Sequence, residues 1–137
     1  DDAVVAGALA AGVATSTVDI SAVPTEAMIL DVGPESVSRL KEILSHCRTV
    51  VWNGPLGAFE TPPFDQGTLA VAREVARLTR EGNVLSVAGG GDTMAALAQA
   101  SVDTDFSYVS AAGGAFLEWL EGKELPGVIA LERAAAR

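Results

Sequence analysis

Short apolar runs alternate along this chain with stretches of helical periodicity, and that alternation leaves few folds open to it. Residues 2–6 (Asp-Ala-Val-Val-Ala) and 27–31 (Ala-Met-Ile-Leu-Asp) are apolar runs bounded by polar, Gly or Pro residues, the pattern of strands buried on both faces. Residues 49–52 (Thr-Val-Val-Trp), 84–87 (Val-Leu-Ser-Val) and 106–109 (Phe-Ser-Tyr-Val) continue the series. The stretch between Gly12 and Pro24, rich in Thr, Ser and Val, reads as a loop.

Helices are expected between these runs. Gly33-Pro34 opens one, because Pro fits a first helical turn; Val37, Leu40, Ile43 and Leu44 keep helical spacing, and Glu35 and Arg39 stand at i,i+4. It ends near His46. A second begins after Phe64-Asp65, with Leu69, Ala72, Val75 and Ala76 on one side, Arg73, Glu74, Arg77, Arg80 and Glu81 on the other, and Gly82 closing it. A third runs from Asp92 to about Ala100, and a fourth follows Gly113-Gly114 and stops at Gly122. The Ala-rich tail, residues 131–137, is free to leave the domain. Strand and helix recurring every ~20–30 residues imply right-handed crossovers, and so an α/β fold: an open, mostly parallel sheet with helices on both faces, Rossmann-like and three-layered.

Composition narrows the function. With 137 residues the chain has room for one domain, residues 1–137, and its 49% hydrophobic and 20% charged residues with mean hydropathy +0.32 suit a folded core. A net charge of −9 repels a phosphate backbone, which argues against nucleic-acid binding. No apolar run approaches the roughly 20 residues of a membrane helix and no basic head precedes one, so a cytoplasmic protein without a membrane partner is expected. Cys47 is the single cysteine and His46 the single histidine; side by side at a helix end, they form neither a disulfide nor a zinc cluster.

In an open parallel sheet ligands sit beyond the carboxyl ends of the strands, and three of the loops there are rich in glycine. The first is Trp52-Asn53-Gly54-Pro55-Leu56-Gly57-Ala58-Phe59-Glu60, a side-chain-poor turn where a flat ligand can lie against Pro55 and Leu56 while Glu60 accepts ribose hydroxyls; the plainer alternative is a turn with a solvated Glu60. The second is Ser86-Val87-Ala88-Gly89-Gly90-Gly91-Asp92-Thr93 at the mouth of a helix. Its backbone N–H groups can approach an anion, and Asp92 with Thr93 can hold a magnesium ion and a phosphate oxygen, unless Asp92 merely caps its helix. Met94 stands where a dinucleotide fingerprint has its third Gly, and no Lys-Ser/Thr pair makes a P-loop. The third loop, Ser110-Ala111-Ala112-Gly113-Gly114, can offer N–H groups to a second anionic group or a phosphoryl group in transfer. Cations are missing: Lys41, Lys123, Arg39, Arg73, Arg77 and Arg80 all fall on helix faces or ends. A complete phosphoryl-transfer site within these residues is therefore not expected.

In their order these loops resemble the C-terminal half of the phosphoglycerate kinase family. The matching words are residues 51–60, residues 89–93, residues 110–114 with Leu117-Glu118-Trp119-Leu120-Glu121-Gly122-Lys123, Leu125-Pro126-Gly127-Val128, and the strand exit Leu30-Asp31-Val32-Gly33-Pro34. The resemblance implies most of a nucleotide-binding lobe, without the N-terminal substrate lobe, of an enzyme moving a phosphoryl group between 1,3-bisphosphoglycerate and ADP to give 3-phosphoglycerate and ATP in glycolysis. It implies magnesium as cofactor, ADP or ATP as ligand, and a full-length protein that is monomeric.

Carried onto this sequence, it implies that Glu60 binds ribose, Pro55 and Ala58 line the nucleotide cleft, and Asn53 faces the phosphate chain. Asp92 would govern magnesium, Gly90, Gly91 and Thr93 would hold terminal phosphates, and Gly113 and Gly114 would act catalytically on the transferring group. Ser110 would lie at a hinge-like loop. Where the family commonly reads Ser-Thr-Gly-Gly-Gly, this chain has Ala111 and Ala112, which removes the Thr hydroxyl and leaves two glycines. The chain is accordingly expected to be an enzyme fragment that binds Mg-nucleotide and is inactive alone; the alternative is a stand-alone nucleotide- or anion-binding module without catalysis.

Overall fold

A computed structural model describes residues 1–136, the side chain of Leu117 excepted. Six strands, β1 (Asp2–Ala6), β2 (Thr15–Asp19), β3 (Met28–Val32), β4 (Thr49–Asn53), β5 (Leu85–Gly89) and β6 (Tyr108–Ser110), accompany five helices: α1 (Pro34–Ser45), α2 (Gln66–Arg80), α3 (Gly91–Ala100), α4 (Gly113–Leu120) and α5 (Pro126–Ala135). They make two three-stranded sheets, ordered β2-β1-β3 and β4-β5-β6.

The β4-β5-β6 sheet is parallel and open, as the helix–strand alternation predicts, with Thr49 opposite Leu85 and Val87 opposite Tyr108. The first sheet is antiparallel throughout, a departure from the expected pairing that arises because an apolar run encodes burial and not direction. Its edge strand β2 occupies part of the expected loop. Thr15, Ser16 and Thr17 are exposed there, so the edge shows no apolar run although its β-branched residues suit extended backbone.

Side chains alternate across the parallel sheet, and its two faces differ. Trp52, Ala88 and Val109 point to one face, where Val37, Leu40 and Leu44 of α1, Leu69, Ala72, Val75 and Ala76 of α2, and Leu97 and Ala100 of α3 close the main core. Trp52 meets Phe106 edge-on at 6.4 Å. The opposite face carries Val51, Val87 and Tyr108 in one row and Thr49 with Leu85 in the next. Helix α4 reaches part of it, with Phe116 5.9 Å from the ring of Tyr108, and Val128 of α5 lines the same hollow beside Tyr108. Val51, Leu85 and Tyr108 consequently stay 50%, 56% and 55% exposed. The Ala-rich tail continues α5 as far as Ala135, and no residue of that helix is buried; Arg137 lies outside the described residues.

Helix α1 starts on a carboxylate borrowed from β1. Its N-cap, Gly33, has no side chain to offer, and a Cβ there would collide with the carboxylate of Asp2. Asp2 accepts from the N–H of Ser36 at 2.7 Å and of Glu35 at 3.1 Å, while the Ser36 hydroxyl donates to the Asp2 carbonyl at 2.8 Å. Arg39 pairs with Asp1 at 2.8 Å in place of the expected Glu35, since Asp1 lies across from the helix where β1 begins. Farther on, His46 is the C-cap of α1, and Cys47 donates its thiol to the Ile43 carbonyl at 3.4 Å, the structural setting expected of both.

Burial works to raise the pKa of Asp2, but the hydrogen bonds from Ser36 and Glu35 outweigh it and hold the carboxyl below its ordinary value of about 3.9. A depressed folded-state pKa contributes stability that is present above the unfolded value and is lost as pH falls through the folded one. In acid unfolding followed by circular dichroism, Asp2→Asn is therefore expected to flatten the loss of stability below pH ~3.9. The half-covered sheet face predicts concentration-dependent self-association of the 137-residue chain; a strictly monomeric species at high concentration in light scattering would contradict it.

Candidate functional site

Parallel pairing brings the last residues of β4, β5 and β6 into line: Asn53 is opposite Gly89, and Gly89 is opposite Ser110. All three glycine-rich loops thus leave the same end of one sheet. The loops touch, because a Cβ on Gly113 would lie 3.5 Å from the Cα of Gly90, and one on Gly90 would lie 4.0 Å from the Asn53 side-chain oxygen. The structure therefore brings Asn53, Gly90, Gly91, Asp92, Thr93, Gly113 and Gly114 to one end of the β4-β5-β6 sheet.

Gly90 is the N-cap of α3, with φ 105° and ψ 146°, a conformation that any side chain would strain. It turns the chain so that the helix opens at the sheet end. No side chain caps α3, so Asp92 is not serving as a helix cap. Its side chain is exposed in the first turn, and among the described residues no ion pair or hydrogen bond engages the carboxylate. Thr93 is 1% exposed, and its hydroxyl oxygen accepts the Gly54 N–H at 2.8 Å, leaving the hydroxyl proton for another acceptor. Ser110 is likewise buried, its oxygen accepting the Ala112 N–H at 3.2 Å to shape the third turn.

The second part of the site lies farther along the first loop. Pro55, Ala58 and Glu60 line one cavity of about 210 Å³ with Leu9, Gly57, Phe59 and Thr61. Glu60 is exposed at its rim, while Phe59 is buried. Leu9 comes from the turn after β1, a residue that sequence reasoning misses because nothing in its spacing links it to the loop.

Buried groups hold this loop in shape. Asp31, only 2% exposed, accepts from the Val32 and Gly67 N–H groups at 2.8 Å each, and so fixes the start of α2. Burial pushes its carboxyl up, against the pull of those two donors. A Cβ on Gly57 or on Gly67 would meet the Asp31 carboxylate, so close packing demands glycine at both positions. Behind them Phe64 is fully buried against Ala6 and Leu30.

A magnesium ion usually retains several waters and takes one or two carboxylates together with substrate phosphates. Among the described residues there is no cluster of three or more His, Cys, Asp or Glu that would form an all-protein cage. The exposed, unengaged carboxylate of Asp92 beside a bare helix opening fits the shared mode. Among the described cations, Arg39, Arg77, Arg80 and Lys123 pair with Asp1, Glu74 and Glu81, Asp105, and Glu121, respectively.

An open α/β sheet whose glycine-rich loops gather beyond its carboxyl ends defines the class of protein that receives ligands at strand tips. The phosphoglycerate kinase family model matches residues 1–123. Proteins named phosphoglycerate kinase from Chelativorans sp. strain BNC1 and Sphingopyxis alaskensis are 66% and 61% identical over 96% of the chain. Among solved structures, phosphoglycerate kinase from Coxiella burnetii superposes with TM-score 0.83 at 44% identity over 89% of the chain, and that from Pyrococcus horikoshii OT3 with 0.77 at 29% over 96%. The chain belongs to the phosphoglycerate kinase family. It spans about a third of the length of these relatives: 33% of each curated protein and 31% of each solved chain.

The loop geometry separates two neighbouring glycines. Gly90→Ala is expected to destabilise the fold by about 1–3 kcal/mol through its positive φ. Gly91→Ala meets open space and should leave the urea midpoint nearly unchanged; equal midpoints for the two variants would refute this reading of the turn.

Proposed function

We propose that residues 1–137 form most of the nucleotide-binding lobe of a phosphoglycerate kinase and that the chain binds a magnesium-complexed adenine nucleotide. The observation that supports this reading is the alignment of Asn53, Gly89 and Ser110 in one row, from which three glycine-rich loops leave the same end of the sheet. The cavity lined by Pro55, Ala58 and Glu60 takes the nucleoside: Pro55 and Ala58 offer apolar contact, and Glu60 accepts from the ribose hydroxyls. Asn53 faces the phosphate chain, and the loop backbone at Gly90 and Gly91 receives the terminal phosphates at the opening of α3; Thr93, expected to join them, is 1% exposed and holds the Gly54 N–H, so it backs the loop instead of meeting the ligand. Asp92 holds the magnesium, which neutralises phosphate charge when bound.

The whole protein, on this reading, transfers a phosphoryl group between 1,3-bisphosphoglycerate and ADP, giving 3-phosphoglycerate and ATP, a glycolytic reaction of the cytoplasm. Gly113 and Gly114 direct backbone N–H groups at the group in transfer. Developing charge on that group calls for cations, and the loops that leave β4, β5 and β6, residues 53–65, 90–92 and 111–114, carry neither Lys nor Arg. The chain alone therefore binds nucleotide without turning it over. Among the described residues no helix is long and apolar enough to cross a membrane.

Isothermal titration calorimetry tests the assignment. Asp92→Ala and Glu60→Ala are each expected to weaken Mg-ADP binding by roughly tenfold or more, the scale of a lost charge-assisted contact. Chelating the metal should abolish the difference between wild type and Asp92→Ala while leaving that for Glu60→Ala. Unchanged affinity in both variants would reject the site.

A further inference from the structure

The backbone between Gly54 and Ala58 is held by N–H groups that all find acceptors within the protein. Pro55 has no N–H, and each of the other four residues donates one: Gly54 to the Thr93 hydroxyl oxygen at 2.8 Å, Leu56 to that of Thr68 at 3.0 Å, Gly57 to the same oxygen at 3.4 Å, and Ala58 to the Leu30 carbonyl at 2.8 Å. Of these acceptors, Thr68 alone takes two donors. It is fully buried in the first turn of α2, one residue after Gly67, whose own N–H is held by Asp31. The helix start is thus fixed to β3, and the loop is fixed to the helix start through a single hydroxyl oxygen.

That placement has a chemical consequence. Leu56 and Gly57 separate Pro55 from Ala58, two of the residues that line the nucleoside cavity with Glu60. A backbone segment whose N–H groups lose their buried acceptor rearranges to reach water or another oxygen. Rearrangement at Leu56 and Gly57 changes the spacing of Pro55 and Ala58 and the direction in which Glu60 leaves the turn. The strand-end backbone at Gly90, Gly91 and Asp92 belongs to the loop after β5 and makes no use of the Thr68 hydroxyl.

We infer that Thr68 is a positioning residue for nucleoside recognition: its hydroxyl oxygen fixes the Leu56–Gly57 backbone and so sets the cavity formed by Pro55, Ala58 and Glu60. It touches no ligand itself, being enclosed behind the loop. The inference rests on the nucleotide-binding function proposed above and adds to it a residue that neither spacing nor motif singles out.

The test compares two probes on the 137-residue chain, Mg-ADP and magnesium tripolyphosphate, by calorimetry. Thr68→Val keeps the shape and removes the acceptor; it is expected to weaken Mg-ADP binding about tenfold, to leave tripolyphosphate affinity within twofold of wild type, and to be rescued by Thr68→Ser. Equal loss for both probes would mean a general structural role and overturn the inference, as would unchanged Mg-ADP affinity in Thr68→Val. Should Thr68→Val prove unfolded by circular dichroism, Thr68→Cys, with similar volume and a poor acceptor, carries the same comparison: selective loss of Mg-ADP binding supports the inference, and equal or absent loss overturns it. Failure of the wild-type chain to bind Mg-ADP would strike the proposed function instead, which keeps the two failures apart.

Discussion

Parallel register is the constraint from which the candidate site derives. Because β4, β5 and β6 run in one direction and pair without slippage, their carboxyl ends coincide, and every loop that leaves them starts at the same level. An antiparallel neighbour would send its loop to the opposite end. A slip of one residue would also exchange the faces of the strand and turn Trp52 or Ala88 out of the core. Core packing and site assembly therefore depend on the same pairing: the side chains at Trp52, Ala88 and Val109 fix the register, and Asn53, Gly89 and Ser110 are aligned by it.

Glycine at the strand ends supplies different things at different positions. At Gly90 it permits a backbone conformation closed to other residues, and the chain turns there into α3. At Gly57 and Gly67 the need is space, since the buried Asp31 carboxylate occupies the volume a side chain would fill. Asp31 is a buried acid with no basic partner among its hydrogen bonds; two backbone N–H groups take the place of a counter-ion. The arrangement joins β3, the loop after β4 and the start of α2 at one point, where Leu30, Phe64 and Ala6 exclude water.

How much of this is legible in the amino-acid sequence depends on whether the determining contact is local. Helices α1 and α2 can be read because their apolar residues recur at helical spacing and Pro34 and Gly82 mark their ends. The parallel strands and their glycine exits are legible for a similar reason. Strand β2 is not, since an exposed edge has no buried face to write an apolar pattern. Nor is the antiparallel direction of the first sheet. Within the site, Asn53, Pro55, Glu60 and Asp92 are visible as loop residues after strands, whereas Leu9, Asp31 and Thr68 enter through contacts across 12 to 36 residues or through a shared cavity. Arg39 shows the same limit: Glu35 is its neighbour on the helix, yet Asp1 takes it.

The distribution of charge gives the site its character. A chain with net charge −9 that is to hold an anion must shield the ligand from its own field. On the proposed function that shielding would fall to fixed dipoles, the backbone N–H groups at the opening of α3 and at Gly113 and Gly114 in the first turn of α4. Dipoles of this kind discriminate by geometry and fall off within a turn of helix, so they favour an anion that reaches the helix opening over one that only approaches the surface. The exposed carboxylate of Asp92 adds a further condition, because a bare polyphosphate meets it with like charge and a metal-complexed one does not. On the proposed function, the same residue that would hold the metal would thereby select for ligands that bring one.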